Sequence, residues 1–572
     1  MSIDYRTNVR LLKVSFSTIF FAFFLLLAHG EVVREAQHPE SEDKLVAGGA
    51  QFDFGKDAFG WLELRVPENT SGDYEIRLGE RLKEDGALDP EPGGSVRFVS
   101  VTGRVERSGW MRIPLVADMR NTRGMNELTA TQVVRLPDET GVVMPFRYVE
   151  IAKAPFRVTK DDVRRVWLHW NGDRTASSFS SSILSLDRVY DFCKYSIEAT
   201  SFAGVYVDGD RERIPYEADA YINQLGHYAM DCDFEMARRT YRRLLEHPTW
   251  PTEWKQHMIM IAWTDWMWSG SLDLVAASYE ILKNDKLLLS LARKDGLIVS
   301  GGTRYPKPAK GDDIVDWPVC ERDGFDARPV NAVVNAFHYR NLIQMSEMAF
   351  ALGRKADGTF FRERSQRVKA SYNRVFFDPR TSLYVDGEGS SHSSLHANAA
   401  ALAFDLVPKE LIGGVADFLE RKGMACSVYF AQYLLEALFK ANRADAAIRL
   451  MASEGERSWI GMMKQGSTIT MEAWNSTVKP NQDWNHAWGT PPLNIIARHV
   501  LGVTPLEPGF SRISVNPRIG DLKRVKGIVP TVKGKVIVDV SDEVLSVSVP
   551  VPAIVTWRGK VHEVPKGSHL VD

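Results

Sequence analysis

The order of hydrophobic and polar positions changes twice along the chain. Between about 50 and 170 apolar residues recur at every second position. Leu62, Leu64 and Val66 alternate with Glu63 and Arg65, Tyr74, Ile76 and Leu78 with Glu75 and Arg77, and 146–152 reads the same way. That period puts one set of side chains on a buried face, and turn signals at 71–73, 90–94 and 137–141 cut the stretch into short strands. An antiparallel β-sandwich is therefore expected over 31–175. From about 180 the spacing becomes helical: Leu186, Val189, Tyr190, Cys193 and Ile197, then Phe234, Ala237, Tyr241, Leu244 and Leu245. Further helices are expected at 270–293, 330–352, 362–376, 394–405, 428–441 and 443–452, with Gly353 as a left-handed cap. These make one large helical domain over 180–500, whose loops gather at one end and are the natural place for a site. Period two returns near 505, most clearly over 535–557, and predicts a C-terminal β-domain over 501–572.

The first thirty residues stand apart. Arg6, Arg10 and Lys13 precede the uncharged stretch 14–28, and Ala28-His29-Gly30 supplies small residues before Glu31. This is the pattern of an export signal over 1–30, with an uncleaved anchor as the alternative, although the apolar run is shorter than the ~20 residues that span a bilayer. The expectation is an exported protein, periplasmic or extracellular, with no membrane attachment after cleavage.

Composition narrows the partners. Lys and Arg number 71 against 73 Asp and Glu, for a formal charge of −2, without the basic run that a nucleic-acid binder needs. The 15 Trp are the one skewed count, and because indole faces stack on apolar sugar faces they lean towards a carbohydrate partner. Cys193, Cys232, Cys320 and Cys426 form no C-x-x-C pair, so neither a zinc site nor a redox motif is indicated, and buried thiols are preferred to the disulfides that export permits. No cofactor or metal is called for.

Two segments carry carboxylates that amphipathic packing does not require. In 207–220, Asp208, Asp210, Glu212, Glu217 and Asp219 crowd around Arg211 and Arg213. Clustered carboxylates raise one another's pKa and arginine lowers it, so one can stay protonated as a general acid; the alternative is a solvated loop leading into a helix. In 467–492, Glu472 stands between Met471 and Trp474, and His486 between Trp484 and Trp488. Glu472 is suited to activating a water, or is an ordinary loop glutamate; His486 is a ligand contact or a satisfied core histidine. Together they supply the two carboxylates that glycoside hydrolysis needs.

These residues carry a resemblance to bacterial α-L-rhamnosidases of glycoside hydrolase family 78. The β-region motifs at 53–66, 77–88 and 145–152 are similar to the sandwich that precedes the family's helical domain, and 501–517 to its C-terminal entry. The resemblance implies a multidomain protein: an (α/α)6 barrel between an N-terminal β-sandwich and a C-terminal β-domain. It also implies that Glu212 in the R-E-R motif is the general acid, with Asp208, Arg211 and Asp219 orienting it or contacting sugar hydroxyls. Glu472 is then the general base and His486 a substrate contact, while Asp316, Trp317 and Asp265 match further pocket positions. Trp317, Trp474 and Trp484 would pack against the methyl face of a 6-deoxy sugar. The chain departs from the family in a shorter acid segment and in Pro215-Tyr216 where Gly-Trp is usual, so Tyr216 would line the pocket and bear on which sugar fits. Three functions follow: an inverting α-L-rhamnosidase, a glycosidase or polysaccharide lyase of the same helical type on another sugar, or a non-catalytic glycan-binding protein. The natural substrate and the oligomeric state stay open.

Overall fold

A computed structural model describes residues 31–44, 49–124, 129–300 and 313–571. The export signal expected over 1–30 lies outside them. Among the described residues no helix is long and apolar enough to cross a membrane.

The alternating segments form one eight-stranded sheet, built on β1 (Val32–Gln37), β2 (Ser41–Lys44), β3 (Ala50–Val66), β4 (Gly72–Gly79), β5 (Phe98–Val105), β6 (Gly109–Arg112), β7 (Met144–Lys153) and β8 (Val163–Trp170). The 17-residue β3 is its spine. Its first half lies between β2 and β7 and its second between β6 and β8, with the register to β7 shifting between Asp53 and Ala58. Such an irregularity bends a strand, and here it lets one sheet close over a core that includes Phe52, Leu62, Ile76, Phe146 and Val149.

Two kinds of helix follow. Those with a clear apolar stripe, such as Glu235–Glu246 and Ile412–Lys422, expose their polar faces. Six others are buried almost all round: Glu217–Met230, His257–Ser269, Ala332–Ala351, Leu395–Ala403, Ala431–Lys440 and Pro491–Ile495. Each packs on the next in that order, and Pro491–Ile495 packs back on Glu217–Met230. Alanines at 397 and 399–401 admit the close approach that this circuit needs. Gly353 has φ +75° after Ala332–Ala351, and Arg354 N–H donates to the Ala349 carbonyl at 2.8 Å, closing the helix as its glycine predicts. The expected helix at 270–293 is shorter, ending at Ile281 in a wide π turn.

The C-terminal region contributes two sheets. One joins Val503–Pro505, Ile513–Val515, Ala553–Trp557 and Lys560–Val564. The other joins Arg524–Val529, Val536–Ser541, Val544–Val549 and Gly567–Val571, and its fifth strand is β9 (Ser178–Ser181), from the connection before the first long helix. Its period-two face is too short to read alone. All four cysteines are free thiols; Cys193 and Cys426 are buried and Cys320 is exposed.

Candidate active site

The two acidic segments meet at the end of the helical domain, around a cavity of about 300 Å³ lined by Asp208, Arg211, Glu212, Tyr216, Asp219, Glu472 and His486, with tryptophans 250, 254, 317 and 488. The first segment is an irregular turn ahead of helix Glu217–Met230. Asp208 Oδ1 accepts from Ile214 N–H at 2.9 Å, while Asp210 accepts from Arg213 at 2.6 Å and is thereby withdrawn from the cavity chemistry. Glu217 sits in the first helical turn, where negative charge is favoured, and accepts from Thr249 N–H at 2.9 Å. That bond ties down the segment that carries Trp250 and Trp254. Asp208, Arg211, Glu212, Tyr216 and Asp219 are left facing the cavity.

The second segment is stitched to the first. Glu472 N–H donates to the Asp483 carbonyl at 3.0 Å, and Asp483 N–H returns to Glu472 Oε2 at 3.1 Å, which fixes the Glu472 carboxylate beside Arg211. Arg211 donates from both terminal nitrogens to the two oxygens of Glu472, each at 3.1 Å, and Lys479 Nζ lies 3.0 Å from Oε1. Burial raises the Glu472 pKa, but Arg211 and Lys479 outweigh it and bring it down to about 2, so the group is ionised at neutral pH. Arg211 Nη2 also lies 3.4 Å from Glu212 Oε1 and 3.1 Å from Glu472 Oε1, so these two oxygens are at most ~6.5 Å apart, at or below the short end of the ~6.5–9.5 Å that separates the carboxyl groups of inverting pairs.

Glu212 keeps its other oxygen on Tyr216, whose hydroxyl donates at 2.8 Å. Burial and the surrounding carboxylates push the Tyr216 pKa well up, so this hydroxyl keeps its proton. Burial, then the charges of Glu212 and Asp483, raises Asp208 well above the usual carboxylate range; burial also raises Asp219, chiefly with Glu472. His486 is pushed down to about 3 by burial and is neutral, its Nε2 3.6 Å from Asp219 and its ring against Trp488. Among the described residues no group of three or more His, Cys, Asp or Glu is placed to hold a metal ion.

Four residues expected at the pocket do not line it. Asp265 lies within the buried helix His257–Ser269, paired with Arg238 at 3.0 Å and accepting from Tyr228 at 2.8 Å. Asp316 is buried behind the cavity on His396 at 2.6 Å and Ser427 N–H at 2.9 Å, and its Oδ1 accepts from Trp317 N–H at 2.8 Å, so it holds the tryptophan rather than a ligand. Trp474 is fully buried, donating to the Cys426 carbonyl at 2.8 Å with its edge to Trp459. Trp484 is 4% exposed and packs into the core. Trp317 does line the cavity. The lining residues that patterning missed are Trp250, Trp254, Ile314, Lys479, Asn481 and Trp488. A tryptophan pair four apart, ahead of the apolar run at 258–262, was the available signal for the first two.

The loop bearing Trp317 is held under strain. Val315 has φ +63°, a conformation that a β-branched residue avoids. Glu253 compensates by accepting from both Ile314 and Val315 N–H groups with one buried oxygen. Burial raises the pKa of Glu253 to about 7.

Comparison with known proteins identifies the domains that carry this cavity. Residues 174–500 match the bacterial alpha-L-rhamnosidase six-hairpin glycosidase domain, and 502–566 the bacterial alpha-L-rhamnosidase C-terminal domain. No curated protein matches the chain by sequence. Among solved structures, the alpha-L-rhamnosidase of Dictyoglumus thermophilum superposes with a TM-score of 0.74 at 20% identity, over 95% of this chain and 64% of that one. That of Streptomyces avermitilis, solved with L-rhamnose, gives 0.75 at 17% identity, over 95% and 54%. That of Aspergillus terreus gives 0.71 at 16%, over 94% and 63%. The chain therefore spans between half and two thirds of the length of these relatives and shares their fold. With more than half of its residues in the matched helical domain and β-domains on either side, this chain belongs to the bacterial alpha-L-rhamnosidase six-hairpin glycosidase family.

Proposed function

We propose that the protein is an exported α-L-rhamnosidase that works by inversion, with Glu212 as general acid and Glu472 as general base, in an (α/α)6 barrel. The observation that carries this reading is the placement of Arg211 between two carboxylates at one tryptophan-walled cavity. Glu212 gives its proton to the glycosidic oxygen as the bond to the anomeric carbon breaks. Glu472, ionised in its grip of cations, takes a proton from a water whose oxygen attacks that carbon from the opposite face. Tyr216 orients Glu212, and the neutral His486 with Asp208 and Asp219 offers polar contacts to sugar hydroxyls. The indole faces receive the apolar face and methyl group of a 6-deoxy sugar.

The test is hydrolysis of an aryl α-L-rhamnoside by the wild type, Glu212→Gln and Glu472→Gln, with the anomer of the first-formed sugar read by NMR. Loss of about 10²–10⁴-fold in each variant and an inverted anomer are expected. A retained anomer overturns the mechanism, and unchanged rates overturn the assignment. Activity on uronates that survives Glu472→Ala points to a lyase, and binding without turnover to a glycan-binding protein. Export is tested by the N-terminal sequence of material recovered outside the cytoplasm, expected to begin near Glu31.

A further inference from the structure

The N-terminal β-domain meets both catalytic segments through one closed ring of contacts. Glu80, buried just after β4, accepts from Asn485 Nδ2 with Oε1 at 3.0 Å and from Arg97 N–H with Oε2. Asn485 Oδ1 then accepts from Asp210 N–H at 2.8 Å, in the turn that carries Glu212. Arg97 Nε reaches the Asp210 carboxylate at 3.1 Å, which returns the circuit to Glu80. Other contacts run in parallel. Asn121 donates to the Asp210 carbonyl at 2.8 Å, Arg213 donates to the Val143 carbonyl at 2.6 Å, and Ser95 Oγ donates to the Asn481 carbonyl at 3.1 Å. Within this set only Glu80 is bonded to one catalytic segment through Asn485 and, through the Arg97 backbone, linked to the guanidinium that pairs with Asp210 on the other.

We propose that Glu80 is a positioning residue of the reaction, and that the β-domain sets the spacing of acid and base by closing the ring Glu80, Asn485, Asp210 and Arg97. The inference rests on the function proposed above. Its physical basis is that neither catalytic carboxylate stands on a regular element: Glu212 lies in an irregular turn and Glu472 in an extended loop. Displacements of about 1 Å between such groups cost up to ~10²-fold in rate. Burial and the facing Asp57 carboxyl raise the Glu80 pKa well above the usual range; glutamine keeps an oxygen to accept from Asn485, but its amide nitrogen cannot accept from Arg97 N–H, so it restores the ring only in part.

The experiment compares Glu80→Ala, Glu80→Gln and Glu150→Ala in the full chain, reading kcat, KM and amide hydrogen exchange. Glu150 is also buried, in the strand β7 that pairs with β4, but is bonded to Arg77 at 2.6 Å, away from the site. Expected for Glu80→Ala is a fall in kcat of about 10²-fold with KM within about threefold, and faster exchange confined to 208–213 and 472–486. Glu80→Gln, which keeps the acceptor for Asn485, should recover about tenfold, and Glu150→Ala should keep wild-type kcat. Wild-type kcat in Glu80→Ala, an equal loss in Glu150→Ala, or no recovery with glutamine overturns the proposal. If Glu80→Ala does not fold, Asn485→Ala breaks the same ring and is read the same way. A wild type that releases no sugar defeats the proposed function alone, because the exchange of the two segments still decides the role of Glu80.

Discussion

Arg211 grips Glu472 with two hydrogen bonds of 3.1 Å while presenting Nη2 to Glu212 at 3.4 Å, so one guanidinium sets the charge of the Glu472 carboxylate and its distance from Glu212, the pair proposed as base and acid. A bidentate pair of this kind fixes orientation as well as charge, which lysine cannot reproduce. Arg211→Lys should therefore lower kcat by about 10²-fold, and steady-state kinetics on an aryl rhamnoside checks it.

The acidic limb of the pH profile follows from the same group. In the proposed role Glu472 must be ionised, and although burial raises its pKa, Arg211 and Lys479 bring it down to about 2. The kcat/KM of the wild type should thus hold from neutral pH to about 3 on this limb. Lys479→Met removes one cation and should move the limb up by a unit or more, measured between pH 2 and 7. The sign for stability is the same: a carboxylate with a folded pKa below its unfolded value stabilises the fold above the unfolded pKa, and that contribution is lost as pH falls towards 2.

Removing an indole face should weaken binding more than chemistry. For Trp254→Ala and Trp317→Ala we expect KM to rise about five- to tenfold with kcat within about threefold, the pattern of lost uniform binding. A fall in kcat alone would place these rings elsewhere in the reaction.

Asp265 and Asp316 separate support from contact. Asp265→Asn weakens the pair that buried Asp265 makes with the part-exposed Arg238, so it should cost about 1–3 kcal/mol in denaturant unfolding and leave KM unchanged in the folded protein. Asp316→Asn loosens the mounting of Trp317 and should raise KM as Trp317→Ala does.

The outer helices were readable because one face is wet. Glu235–Glu246 alternates charge and apolar stripe, and its period survives in the sequence. Buried helices were readable only in part: 330–352, 394–405 and 428–441 correspond to Ala332–Ala351, Leu395–Ala403 and Ala431–Lys440, whereas His257–Ser269, apolar nearly all round, has no wet face to mark a period, and Asp265 within it was placed at the pocket by the resemblance alone. At the site, the acidic cluster over 207–220 and the isolated Glu472 stood out by their chemistry, and Glu212 in the R-E-R motif by the family resemblance. Lys479 and Asn481 were not, because a lysine and an asparagine in a polar loop look solvated until the backbone folds them onto Glu472.

Gly209 separates the two catalytic segments by the absence of a side chain. Its φ of +122° suits glycine, and a Cβ there would stand 2.9 Å from Asp483 Oδ2. Gly209→Ala should lower kcat by about tenfold or more and cost about 1–3 kcal/mol of stability, read by parallel kinetics and thermal melts.

The strand at Ser178–Ser181 gives assembly a clock. Its hydrogen-bonded partners, from Val525 to Ile528, leave the ribosome more than three hundred residues later. At ~5–20 residues per second the segment that opens the helical domain waits on the order of half a minute for the rest of its sheet. The strand that opens the helical domain therefore stays without its β partner until Val525–Ile528 has been made.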